Sequence, residues 1–203
     1  MSESWTKQLT DIAQFYSDLI TRYGHNPRAC DYGRAESQQI KFKTLAQVMP
    51  IQGKQVLDVG CGFADFADYL YRSCGVLDYE GIDITPRMIE EAHRLRPHLS
   101  LKVLDILTEN PEGSYDLVTA NGIFYLLNQD AELYMQRLIA KMYELSSNAV
   151  AFNSLSSWAE NQEDGEFYAD PLTTVQFCRT LTPWVVLRHD YLPHDFTIYM
   201  YKR

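Results

Sequence analysis

Basic residues are scarce in this chain: 18 Lys and Arg stand against 27 Asp and Glu, a formal charge of −9. A surface that neutralises phosphates needs the opposite balance, so no nucleic-acid partner is expected. The four cysteines, Cys30, Cys61, Cys74 and Cys178, form no C-x-x-C pair. That spacing argues against a zinc clasp or a thioredoxin-type site and fits reduced thiols. No apolar run approaches the roughly 18 residues of a membrane span, and "MSESWTKQLTDIAQFY" lacks the basic-then-apolar order of a signal peptide. Repeats and low-complexity stretches are missing too, and the 203 residues suit a single domain with a sizeable core. The expectation is a cytoplasmic protein with a small-molecule partner, no membrane and no metal, monomeric or homodimeric.

Against these absences stands a clear alternation of periods. Residues 3–22 place Trp5, Leu9, Ile12, Phe15, Tyr16, Leu19 and Ile20 at helical spacing, and "AESQQIKFKTLAQVM" predicts a second helix before Pro50. From Gln55 strand and helix alternate through "QVLDV", "FADFADYLYRSCG", "LDYEGIDI", "PRMIEEAHRLR", "LKVLDIL" and "YDLVTANGIF". Strands separated by helices of about 10–15 residues require crossovers, hence an α/β fold with a parallel sheet covered on both faces. Thr85 is placed to cap its helix, with Pro86 at the first helical position. "DAELYMQRLIAKMYEL" and "NAVAFNSL" add a helix and a fifth strand, and the tail predicts an antiparallel hairpin turning at Leu192–Pro193. Residues 155–170, acidic and polar, interrupt the rhythm as either a lid or a solvated loop.

The stretch "VLDVGCGFAD" runs from strand into glycine turn into helix. Gly60 permits a sharp turn and Gly62 lets backbone approach a ligand, but Asp65 occupies the third glycine position of a dinucleotide loop. Asp58 adds a carboxylate that a pyrophosphate would oppose and a cationic amino-acid group would favour. Asp83 and Asp105 end the next two strands, where one carboxylate can accept both ribose hydroxyls and the other can meet an adenine amino group. Singly, Asp58 fits a turn cap, Asp83 and Asp105 fit strand-end acids facing water, and Cys61 fits a small packing residue. An NAD-dependent oxidoreductase is the competing enzyme, and a catalytically inactive protein that binds a nucleoside cofactor with a cationic amino-acid group, not NAD, is the non-enzymatic alternative.

Together these residues resemble the class I S-adenosylmethionine-dependent methyltransferases over roughly residues 53–203. The family's acid-x-Gly-x-Gly-x-Gly is matched by Asp58, Gly60, Gly62 and Ala64, the last a departure. The resemblance implies a Rossmann-like, seven-stranded, mostly parallel sheet with an antiparallel last strand, helices on both faces and an N-terminal helical cap over 1–52. It implies S-adenosyl-L-methionine as cofactor, with Gly60 and Cys61 beside the methionine part, Asp83 on the ribose and Ile84 on the adenine. Asp105 and Ile106 would meet the adenine edge, Asn121 and Gly122 the methionine moiety, and Met88 joins the cofactor set.

Methyl transfer from a sulfonium is an in-line displacement in which positioning matters most, and a base matters only when the acceptor must lose a proton. Two clusters are candidates to face the acceptor. "YGHNPRACDYGRAESQ" offers His25, Asp31, Tyr32, Arg34 and Gln38, with Arg34 suited to the methionine carboxylate. "RHDYLPHDF" offers His189 and His194 as general bases beside Asp190 and Asp195, although turn residues of these types also face solvent. The "DYG…ESQ", "AFNSLS" and "RHDYLPHDFT" segments are similar to those of bacterial methyltransferases, which implies one shared pocket. "ANGIF" stands where amide-nitrogen methyltransferases carry Asn/Asp-Pro-Pro-Tyr/Phe, so an O or N atom of a small molecule is the expected acceptor.

Overall fold

The computed structural model describes residues 3–31, 35–128 and 130–202. The first helix, α1 (Glu3–Tyr23), ends where the Gly24 N–H donates to the Ile20 carbonyl at positive φ. A short 3-10 turn (Pro27–Cys30) follows, capped by Asn26, whose side chain accepts the Arg28 N–H. Next come α2 (Ala35–Ala46), β1 (Gln55–Val59), α3 (Asp65–Cys74), β2 (Asp78–Asp83) and α4 (Pro86–Leu95). β3 (Ser100–Val103), β4 (Tyr115–Ala120), α5 (Ala131–Leu145), β5 (Ser146–Leu155), α6 (Pro171–Leu181), β6 (Val185–Leu192) and β7 (Asp195–Tyr201) complete the chain.

The seven strands form one sheet in the order β3-β2-β1-β4-β5-β7-β6, with β7 antiparallel to both neighbours and the other six pointing one way. Side chains alternate across it. Leu57, Val59, Ile82, Val118 and Phe152 pack on one face with α5, α6 and Trp5 of α1. Val56, Tyr79, Leu101, Leu117 and Tyr199 pack on the other with α2, α3 and α4. Each fully buried large apolar side chain contributes about 1.5–3 kcal/mol. Tyr199 and Tyr201 also donate their hydroxyls to the Thr44 and Val48 carbonyls, fixing the end of α2 to the reversed strand.

Four local expectations change. β3 is shorter than "LKVLDIL" because the chain turns at Asp105, whose Oδ1 accepts the Leu107 N–H while its carbonyl accepts from Thr108 and Glu109. β4 stops at Ala120, ahead of Gly122 at φ +69°. Thr85 precedes α4, but its hydroxyl makes no cap bond; Asp83 Oδ1 accepts the Thr85 N–H instead. Helix α6 lies in a stretch with little apolar periodicity, since its buried positions are Pro171, Thr174 and Cys178.

Candidate active site

The carboxyl ends of β1, β2, β3 and β4 open into a cavity of ≈ 400 Å³. At its base β1 breaks at Gly60 (φ +71°), where a Cβ would sit 2.3 Å from Ile123 Cγ2. Gly62 (φ +53°) leaves a Cβ position 3.4 Å from Cys30 Sγ, so a side chain there would crowd the turn above the loop. Ala64 adopts φ +62°, a left-handed conformation that disfavours a Cβ and accounts for glycine as the family's choice.

Asp83 binds the loop together: its Oδ2 accepts the Gly62 N–H at 3.0 Å and its Oδ1 the Thr85 N–H at 2.8 Å. Burial raises its pKa, and these backbone donors oppose the rise. Asp58 lies deeper, 2% exposed. Tyr79 donates to its Oδ2 at 2.7 Å and Thr119 to its Oδ1 at 3.1 Å, yet burial pushes its carboxyl up to about 7. Asp105 bonds Leu107 through Oδ1, while its buried Oδ2 has no hydrogen-bond partner. Cys61 packs on Gly81, and burial holds its thiol well above the usual range, which marks a packing residue rather than a nucleophile.

Asn121 and Gly122 are positioned by Asn153, which the sequence marks only as part of "AFNSLS". Asn153 Nδ2 donates to Asn121 Oδ1 and its Oδ1 accepts the Gly122 N–H, both at 2.7 Å. Ile84, Met88 and Ile106 line the same cavity. Arg96 braces the loop from behind: it donates to the Phe63 carbonyl at 2.7 Å and to Asp65 and Asp68 at 2.6 Å each.

The roof comes from segments distant in sequence. Leu9, Ile12 and Tyr16 of α1 line the cavity, and Arg87 holds that helix through Ser17 and Thr21. Tyr16 donates to Tyr125, which donates to Asp31 at 2.9 Å. Burial raises both tyrosine pKa values, so these hydroxyls stay neutral. The 155–170 segment closes one side, tied by Phe167 N–H to the Tyr125 carbonyl at 2.7 Å and by the Ser156–Ala169 bridge.

Of the acceptor-facing candidates, His194 lines the cavity, as do Asp31, Gln38 and Asp195. His189 sits outside the lining, with Nε2 2.8 Å from Ser156 Oγ and its ring tilted over Trp158. His25 also lies outside, drawn to Asp65 at 3.0 Å and to the edge of Phe63. Tyr32 and Arg34 fall outside the described residues. Lys41 and Tyr125 line the cavity without having been legible as site residues, and Ser154 was marked only as part of the "AFNSLS" segment. A lone lysine on a helix carries no local pattern.

A parallel sheet ending in a reversed strand, with a glycine loop and acids on successive strand ends, defines a nucleoside-binding α/β transferase fold distinct from the six-stranded dehydrogenase order. Residues 56–145 match the family model described as a methyltransferase domain. Rv1506c of Mycobacterium tuberculosis, whose name assigns it provisionally as a methyltransferase, is 32% identical over 152 residues, 71% of this chain and 91% of that protein. Trans-aconitate 2-methyltransferase of Escherichia coli is 31% identical over 109 residues, 54% of this chain but 43% of the enzyme, so the chain spans less than half of that relative's length. In fold, magnesium protoporphyrin IX methyltransferase from Synechocystis, solved with bound S-adenosylhomocysteine, superposes with a TM-score of 0.69 at 13% identity, covering 96% of this chain and 99% of that one. The chain belongs to the methyltransferases, and its fold is that of family members solved with S-adenosylhomocysteine bound.

Proposed function

We propose that this enzyme methylates an O or N atom of a small-molecule acceptor inside the described cavity. The observation that carries the reading is the continuity of that cavity. It runs from the glycine loop and the strand-end acids to Ser154, His194 and Lys41. The unpartnered Asp105 Oδ2 suits an adenine amino group, and Asp83, already fixed by two backbone donors, keeps lone pairs for the ribose hydroxyls. Gly60 and Gly62 let main chain approach the methionine part, and Asp58 supplies negative charge beneath a cationic amino group. When bound, S-adenosylmethionine supplies a sulfonium methyl that an acceptor lone pair displaces in line. The chain's own contribution is to fix the acceptor about 3–3.5 Å from that carbon and to exclude water. His194, the one histidine lining the cavity among the described residues, is the candidate base where an acceptor must lose a proton.

Calorimetry tests the reading. S-adenosylhomocysteine binds one per chain, and Asp83→Ala weakens it about 100-fold by removing a bidentate charge-assisted contact and loosening the loop. Binding of NAD in place of S-adenosylhomocysteine would overturn it.

A further inference from the structure

Beyond the glycine loop the cavity has an uneven charge. Among the described residues one lysine and no arginine line it, and that lysine is committed: Lys41 Nζ lies 2.6 Å from Asp195 Oδ2, with both side chains buried. Tyr191 donates to the other oxygen of Asp195 at 2.5 Å, which locks the pair. The mouth is acidic. Asp31 accepts from Tyr125, and half-buried Glu166 accepts from Tyr168 at 2.5 Å, while the Tyr168 hydroxyl accepts the Glu163 N–H at 2.9 Å. Asp31, Glu163 and Glu166 all line the cavity, and no cation is bonded to any of them among the contacts described. An independent feature marks a ligand position in the same cavity. Ser154, 2% exposed at the end of β5, lines the cavity with an Oγ that has no hydrogen-bond partner, and a hydroxyl can accept from an N–H as readily as it donates.

We infer that the acceptor is an amine that enters as an ammonium ion, drawn by Asp31, Glu163 and Glu166, with an aromatic or apolar body held among Tyr16, Tyr125 and Tyr168. The inference rests on the methyl-transfer reading and deepens it by naming the substrate class. Carboxylates at the mouth attract a cation, whereas an anionic acceptor meets like charge with no uncommitted cation among the described residues to receive it. In the transfer, the ammonium first gives one proton to His194, the base already placed in the cavity. The nitrogen lone pair then forms the new N–C bond as the C–S bond breaks, its electron pair stays on sulfur as a neutral thioether, and the product leaves as an N-methylammonium ion. The acceptor thus differs in charge from the trans-aconitate in the name of a relative of which this chain spans 43%.

A matched-ligand titration decides it. The full chain, saturated with S-adenosylhomocysteine, is titrated with phenethylamine and with 3-phenylpropanoate, which share a ring and spacer but differ in charge. The amine is expected to bind at least 10-fold more tightly, and Glu163→Gln with Glu166→Gln to abolish most of that preference while S-adenosylhomocysteine still binds. Equal or tighter binding of the carboxylate, a preference that survives the double substitution, or no binding of either ligand overturns the inference. Failure to bind S-adenosylhomocysteine at the outset overturns instead the methyl-transfer reading beneath it.

Discussion

Asp58 is held by two hydroxyl donors and still carries a carboxyl raised to about 7, because the loss of hydration outweighs both bonds. Below about pH 4 the folded and unfolded states are both protonated and no penalty exists. Between about 4 and 7 the unfolded chain ionises while the folded one keeps its proton, so stability falls as pH rises; above about 7 the full penalty applies, on the order of 4 kcal/mol. Asp58→Asn is free of it. Urea unfolding at pH 5 and pH 8 should show the Asn variant gaining about 2–3 kcal/mol on the wild type between the two, whereas a constant difference would contradict the assignment. At Asp105 the prediction concerns binding. Asn offers Oδ1 to Leu107 and turns an N–H₂ toward the cavity, so S-adenosylhomocysteine should bind roughly 10- to 100-fold more weakly by calorimetry, with the melting temperature of the free protein little changed. Gly60, Gly62, Asp83 and Asp105 were legible because a motif and its spacing name them. Lys41 was not, and Asn153 and Ser154 were marked only as part of "AFNSLS", because their individual roles exist only once β4, β5, β7 and α2 are side by side.

At the level of elements, the glycine loop is held as much by Arg96 as by its own turn. The guanidinium is 6% exposed and bonds Phe63, Asp65 and Asp68, so it joins the end of α4 to the start of α3. Arg96→Met leaves Asp65 and the Phe63 carbonyl without it. The expected cost is about 3 kcal/mol in chemical unfolding, at the low end for a broken buried pair because the Asp68 side chain is 43% exposed. A weaker affinity for S-adenosylhomocysteine should accompany it, and a variant of unchanged stability would show that the loop holds itself. Strand and helix alternation was readable from periodicity through β5, and the reversed hairpin from its alternation. Helix α6 was not, because Thr174 and Cys178 do the burying that a larger apolar stripe usually advertises. Its start signal was nevertheless present: Asp170 accepts the Thr173 N–H at 2.7 Å just ahead of Pro171.

On the scale of the whole molecule, three distant stretches meet. Asp31 and Gln38 before the sheet, Ser154 at the end of β5 and His194 at the last hairpin line one cavity, joining the segments whose family likeness implied a common pocket. Their convergence depends on the sheet order, which sets β5 beside β7 and lays α2 across the same edge. The net charge of −9 argues against a polyanionic partner, and the cavity mouth repeats that sign locally. What ties the residues, the loop and the charge pattern together is the placement of the donor. A crystal structure with S-adenosylhomocysteine measures it directly: the adenine amino group should lie within hydrogen-bond distance of Asp105 Oδ2, the ribose on Asp83, and the thioether sulfur facing the space bounded by Ser154 and His194. A nucleoside lying elsewhere, or a sulfur turned away from that space, would contradict the account.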